Sequence, residues 1–292
     1  MPTAVTPIQT MSQWRPLGTL EPTALVSSRE TLHHAAQLLA LAGASFVEAQ
    51  VDDSHTSMSW LEPIAAFATQ PIAAQAPFRF ALRVRDLTLV VVDEAAGDES
   101  AVLPLDGQTR SDALEWTRLQ ARQRGLDSNR LRSRLHFAIA PHPTDAGRPF
   151  ERATDGTLGE LASWYANASL VLENRRRRMD GAGPVRCWPH HFDIATLVRL
   201  APDGPLQTIG IGLSPGDESC PEPYYYVGPY PTPSVHPPPL SIGRWHTTGW
   251  WGAALVGSAI VKQTAPGEQS AFVTRFIDEA VERLLETNNR GA

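Results

Sequence analysis

FRFALRVRDLTLVVVD, residues 78–93, constrains the fold of this chain more than any other stretch. Phe78, Phe80, Leu82 and Val84 recur every second position, Arg85-Asp86 interrupts, and Leu87 to Val92 resumes as a largely apolar run. A period of two excludes a helix, and the charged break turns the chain back, which predicts two antiparallel strands. AVLPL at 101–105 predicts a third. A meander of this kind buries a face only against a second layer, so helices must cover it.

Helical periodicity supplies those covers. Residues 27–46 carry Leu32, Ala35, Ala36 and Leu39 on one side behind a serine cap, and 109–126 opens on Thr109 and stops at Gly125. TLGE at 157–160 matches a capping box and starts a helix through Leu161, Trp164, Tyr165, Ala168 and Leu172 to the arginines at 175–178. Strands are predicted again at 191–200, 206–213, 223–228 and 250–261, and 267–286 keeps Phe272, Val273, Phe276, Ile277, Ala280 and Leu284 together as a terminal helix.

The expected architecture is α+β: antiparallel β-meanders flanked by helices, in two similar halves that suggest an internal duplication. Residues 1–28 form an N-terminal extension, 29–126 the first half, 127–156 a proline- and charge-rich connector, and 157–287 the second half. Whether the meanders make two sheets or one is open at this level.

Charge removes several functions. The formal net charge is −6 and Lys262 is the only lysine, so neither nucleic acid nor an anionic membrane is an expected partner. Arg175 to Arg178 end a helical pattern, where cations complement the carbonyl end. No stretch approaches the ~20 apolar residues of a membrane span, and the N-terminus has no basic start ahead of an apolar core, so a cytoplasmic chain is expected. Cys187 and Cys220 are too few for a disulfide scaffold and read as free thiols.

Two familiar motifs fail on physical grounds. GLSPG, 212–216, fits G-x-S-x-G, but the residue after the serine is Pro215, which has no N–H to give an oxyanion, and no helix follows. Gly210 and Gly212 start a dinucleotide fingerprint that lacks its third glycine.

CWPHHFDIATLVRL, 187–200, holds the candidate site. In a strand entered at 191, His191 and Asp193 share a face and His190 takes the other. His-x-Asp starts a divalent-metal site of the iron, manganese or zinc type, and His246 can complete two nitrogens and a carboxylate. The spacing resembles that of the 2-oxoglutarate-dependent oxygenases, but Val256 stands where their basic cosubstrate residue would. Asp53 and His55 mirror the pair in the first half. The expected metal set is therefore His55, His190, His191, Asp193 and His246. Asp193 and His191 are the expected catalytic pair, with Glu218 and Tyr225 near a small-molecule substrate. Without a metal, the same imidazoles and carboxylates serve acid–base chemistry, or simply cap strand ends.

The pieces ETLHHAAQLLA, SHTSMSW, GPVRCW with FDIA, GLSPG, YYYVGPYPTP and WWGAAL, in this order, resemble a bacterial family classed as a domain of unknown function. The resemblance spans roughly residues 30 to 286 and implies the layout but no activity. His55, Trp60, Pro184, Asp193, Ala195, Gly212, Pro215 and Gly216 match its pattern. His190 and His191 do not, so a site that needs both belongs to this branch alone.

A competing class is a non-catalytic module that binds a ligand or partner through the Tyr/Trp/Pro-rich surface at 220–251. Its rings present an apolar face and a polar tip. The ordinary alternative is a proline-stiffened edge strand packed on Trp245, Trp250 and Trp251.

Overall fold

In the computed structural model, which describes residues 13–200 and 207–290, the alternation at 78–93 becomes two strands of a single sheet. The first half runs α1 (Val26–Phe46), β1 (Met58–Leu61), β2 (Ala66–Thr69), β3 (Phe78–Arg83), β4 (Thr88–Asp93), β5 (Glu99–Pro104) and α2 (Arg110–Gln123). The second runs α3 (Thr157–Arg176), β6 (Arg186–Trp188), β7 (Asp193–Arg199), β8 (Thr208–Ser214), β9 (Tyr224–Tyr230), β10 (Arg244–His246), β11 (Gly252–Val256), the short α4 (Gly257–Ile260) and α5 (Pro266–Arg290).

The eleven strands among the described residues form one antiparallel sheet in the order β10-β11-β9-β8-β7-β6-β1-β2-β3-β4-β5. The halves meet where β1 pairs with β6 at Met58 and Cys187, and each meander runs outward from that seam. Helix, meander, helix is thus the order in both halves, although the second has six strands to the first's five, the outermost, β10, having no counterpart.

Alternation sorts the two faces. Phe78, Phe80, Leu82, Leu89 and Val91 join Ile209, Ile211, Leu213, Tyr225 and Val227 in one core with the apolar sides of α1, α2, α3 and α5. Each fully buried side chain of this size contributes about 1.5–3 kcal/mol. On the other face the first half keeps only a thin cluster of Ala66, Ala68, Ala81, Val90 and Val92. The second half has Gly210, Gly212, Tyr224 and Tyr226 there, outside the helix-packed core of the described residues.

Several boundaries differ from the sequence expectation. The segment before α1 is part of the packed structure from Trp14 onward. The Trp14 indole and the Leu17 N–H donate to Gln269 Oε1, both at 3.1 Å, and the Arg15 N–H donates to Asn167 Oδ1 at 2.7 Å. TLGE does not form a capping box: Gly156 is the N-cap at φ 89°, Thr157 is already helical, and Glu160 accepts from the Gly18 N–H at 2.7 Å. Thr109 does form one with Asp112. The expected strand at 250–261 is only Gly252–Val256, because Glu222 accepts from the Ser258 N–H at 2.5 Å and α4 begins. Of the helix-end arginines, Arg175 pairs with Asp278 of α5 and Arg176 with Glu173 one turn back. The connector is tied to α1, His34 donating to the Ala140 carbonyl at 2.9 Å. No helix among the described residues is long and apolar enough to cross a membrane.

Candidate functional site

The β6–β7 hairpin is built by its neighbours. Its loop, residues 189–192, contains neither His190 nor His191 in a strand, because Trp188 pairs directly with Asp193 and the chain turns between them. Phe192 closes the turn at φ 58°, unfavourable for a residue with a Cβ, and its N–H donates to the Trp188 carbonyl at 2.7 Å. Packing holds it there. The Tyr165 hydroxyl donates to the Phe192 carbonyl at 2.8 Å, and the Phe192 ring stacks on His33 at 5.2 Å. His33 and Gln37, one turn apart on α1, both donate to the Pro189 carbonyl, at 2.8 and 2.7 Å. Burial lowers the His33 pKa from 6.5 to about 4, so the ring is a neutral donor.

Asp193 is the first residue of β7 and lies on the uncovered face. Its carboxylate accepts from the Tyr226 hydroxyl. Gly212 of β8, the cross-strand partner of Tyr226, lets that ring lie flat across the sheet: a Cβ on Gly212 would stand 2.6 Å from the Tyr226 hydroxyl oxygen. Two positions along β9, the Tyr224 hydroxyl donates to Asp217 Oδ2 at 2.6 Å, while Asp217 Oδ1 accepts the Ser219 and Cys220 N–H groups at 2.8 and 2.9 Å. Trp250 lies nearly parallel to Tyr224 at 5.9 Å between centroids and edge-on to Tyr226 at 6.3 Å.

These groups enclose a cavity of about 230 Å³ lined by His191, Asp193, Ser214, Asp217, Tyr224, Tyr226 and Trp250. A second cavity of about 720 Å³, with Asp52, Arg186 and Arg199 among its walls, shares Asp193 and Tyr226 with the first. The Asp193–Tyr226 pair therefore borders both cavities. Burial raises the Asp193 pKa, opposed by the Tyr226 hydrogen bond and by His191. Burial likewise raises both Tyr226 and Tyr224, and the neighbouring Asp193 and Asp217 add to it.

The expected metal set does not assemble. His55 is buried in the 3-10 turn Ser54–Thr56, pressed on α1 at Gly43, and its Nδ1 accepts from the Gln50 N–H at 3.2 Å. Asp53 does not share a strand face with it: the residue sits at φ 57° and pairs with His136 at 3.2 Å. His190 is on the exposed side of the hairpin turn, 4.4 Å from His191 between ring centroids, and burial against its neighbours lowers its pKa. His246 stacks on Trp250 at 4.4 Å and donates to the Thr248 carbonyl at 2.6 Å. Among the described residues no three His, Cys, Asp or Glu side chains converge as a metal would require. His55, His190, His191, Asp193 and His246 thus do not converge as one set in this structure.

His191 and Asp193 do line one cavity, but through the turn geometry and not through strand alternation. Glu218 is exposed in the loop, and the carboxylate that reaches the cavity is its neighbour Asp217. Tyr225 points the opposite way, fully buried in the core with its hydroxyl unpartnered. In YYY the outer two rings must share a face and the middle one must oppose them, so the period of two could have selected Tyr224 and Tyr226. Ser214 ends β8 with its Oγ accepting the Gly216 N–H at 3.2 Å, and no helix follows it. Cys187 and Cys220 are free thiols.

Comparison with family models, with curated proteins and with solved structures finds no match to this chain. What the fold and site define is an α+β protein with one large antiparallel sheet, helices on one face and a two-chambered aromatic and carboxylate cleft on the other.

Proposed function

We propose that the chain binds a small molecule in the cleft framed by Tyr224, Tyr226 and Trp250, with Asp193 and Asp217 as its polar contacts. One observation carries this reading: Asp193 is only 9% exposed, is held by Tyr226, and still faces both chambers. Burying a carboxylate there is unfavourable unless something engages it. Rings with a few fixed polar groups are the usual lining of a small-ligand site. The resemblance seen in the sequence implies no activity, so the proposal rests on geometry.

A second reading, acid–base chemistry on the bound molecule, is favoured by the raised Asp193 carboxyl beside His191. The repeated element order likewise supports an internal duplication, which superposition of residues 29–126 on 157–287 tests.

Ligand-observed NMR with a fragment library checks the binding reading. Wild-type protein should bind a subset of fragments that Trp250→Ala and Tyr226→Phe both lose. A library in which no signal depends on Trp250 would overturn it.

A further inference from the structure

We infer that the ligand of the smaller chamber is a small organic cation, an amine or methylated ammonium, an inference that rests on the binding reading above. A hydroxyl has one proton to give, and in this chamber both tyrosine protons are already given: Tyr226 to Asp193 and Tyr224 to Asp217. What the two tyrosines leave toward the cavity is oxygen lone pairs and ring faces. The carboxylates are acceptors only. Neither lysine nor arginine lines this chamber, and His191 is its one imidazole. Ser214, whose hydroxyl bonds to Tyr224, and the Trp250 indole are the neutral donors of this wall. What it lacks is a fixed positive charge, which the ligand must bring.

Two further observations point the same way. Asp193 uses one carboxylate oxygen on Tyr226, and no other side chain among the described residues donates to it, although it is nine-tenths buried and faces the cavity. A cation arriving there offsets the lost hydration of a buried carboxylate. The rings are also set for it: Tyr224 and Trp250 are within 14° of parallel, and Tyr226 stands at 70° to Trp250, so three π-faces or edges meet at one corner. Cations are attracted to such faces within about 6 Å of the centroid. The chamber's volume of about 230 Å³ suits a small molecule, and its acidic wall discriminates against an anionic one.

The test is calorimetric titration of the full chain with choline and, in parallel, with its neutral isostere 3,3-dimethylbutan-1-ol, followed by propylammonium against propan-1-ol. At low salt at least one cation should bind about tenfold or more tighter than its neutral partner. Its binding should be lost in Trp250→Ala and weakened by a similar factor in Asp193→Asn and in Asp217→Asn. Circular dichroism and melting curves show which variants are folded, and any one folded variant of the three suffices. A neutral isostere that binds as tightly, still dependent on Trp250, overturns the cation and leaves the cleft standing. Cation binding indifferent to Trp250 and to both aspartates marks diffuse surface association and overturns the inference. Failure of all four probes also overturns it, and the fragment screen then decides separately whether the cleft binds anything.

Discussion

The hydroxyl of Tyr226 on β9 donates to the carboxylate of Asp193 at the start of β7, across a strand that lies between them. The contact exists because β8 has Gly212 at the crossing point, leaving the tyrosine ring free to lie on the sheet. It joins residues distant in sequence at the border of both cavities. The same contact fixes where the tyrosine proton goes.

Gly212→Ala should break this arrangement. The added Cβ would stand 2.6 Å from the Tyr226 ring end and 2.8 Å from the Ile194 carbonyl, so the ring must lift and the backbone must give. A loss of about 1–3 kcal/mol is expected in denaturant unfolding. Adding Tyr226→Phe to Gly212→Ala should then cost less than it does in the wild type, because the bond is already gone. Fully additive effects would show that the two residues act independently.

Asp193 should make stability depend on pH in a defined direction. Burial raises its pKa in the folded chain, with Tyr226 and His191 opposing and the buried Tyr165 and Cys187 close by. The folded state then holds a proton that the unfolded state releases near pH 4, so this group's contribution is greatest in acid and declines as pH rises through the raised folded value. Asp193→Asn carries no such proton. The stability of the variant relative to wild type should climb as pH rises above the ordinary aspartate value, measured as urea midpoints. A constant difference would show that Asp193 ionises normally.

His33 acts in the opposite sense. Its folded pKa of about 4 lies below the ordinary 6.5, so the stabilisation is present above pH 6.5 and lost as pH falls toward 4. The gap corresponds to roughly 3 kcal/mol. His33→Gln should flatten that part of the acid limb, since an amide can still donate to the Pro189 carbonyl but does not titrate. An unchanged acid limb would place the acid sensitivity elsewhere.

Tyr225→Phe should be neutral or stabilising by up to about 1 kcal/mol, because its hydroxyl is buried without a partner. Tyr226→Phe removes a hydrogen bond to a carboxyl group and should be destabilising by about 1–2 kcal/mol. Thermal melts of the two variants side by side check whether the middle ring belongs to the core and the outer ring to the site.

Much of the framework was legible in the chain. The alternation at 78–93 with its Arg85-Asp86 break became β3 and β4, and the helical stripes became α1, α2, α3 and α5 within a few residues of their expected ends. These features are local: a period of two or of 3.6 depends on which side of one element is apolar. Asp193 was legible as a polar residue at a strand entry. Its neighbours were misplaced because the alternation was carried two residues too far, into a turn that the paired donors His33 and Gln37 hold from another helix. Glu218 and Tyr225 were each one position away from the residues that reach the cavity, and one position reverses a face.

By itself, then, the amino-acid sequence determined an antiparallel α+β chain, its element order and the proline that follows Ser214 where a nucleophile elbow needs an N–H. Tertiary structure alone decided that the two meanders join at Met58 and Cys187 into one sheet, and that Gly212, Tyr224 and Tyr226 lie outside the helix-packed core of the described residues. The reason is physical. Periodicity reports the burial of one element against something, whereas a site is a coincidence of side chains from several elements. The distance between Asp193 and Tyr226 is set by strand order, register and the missing side chain of Gly212, none of which is a property of any single segment.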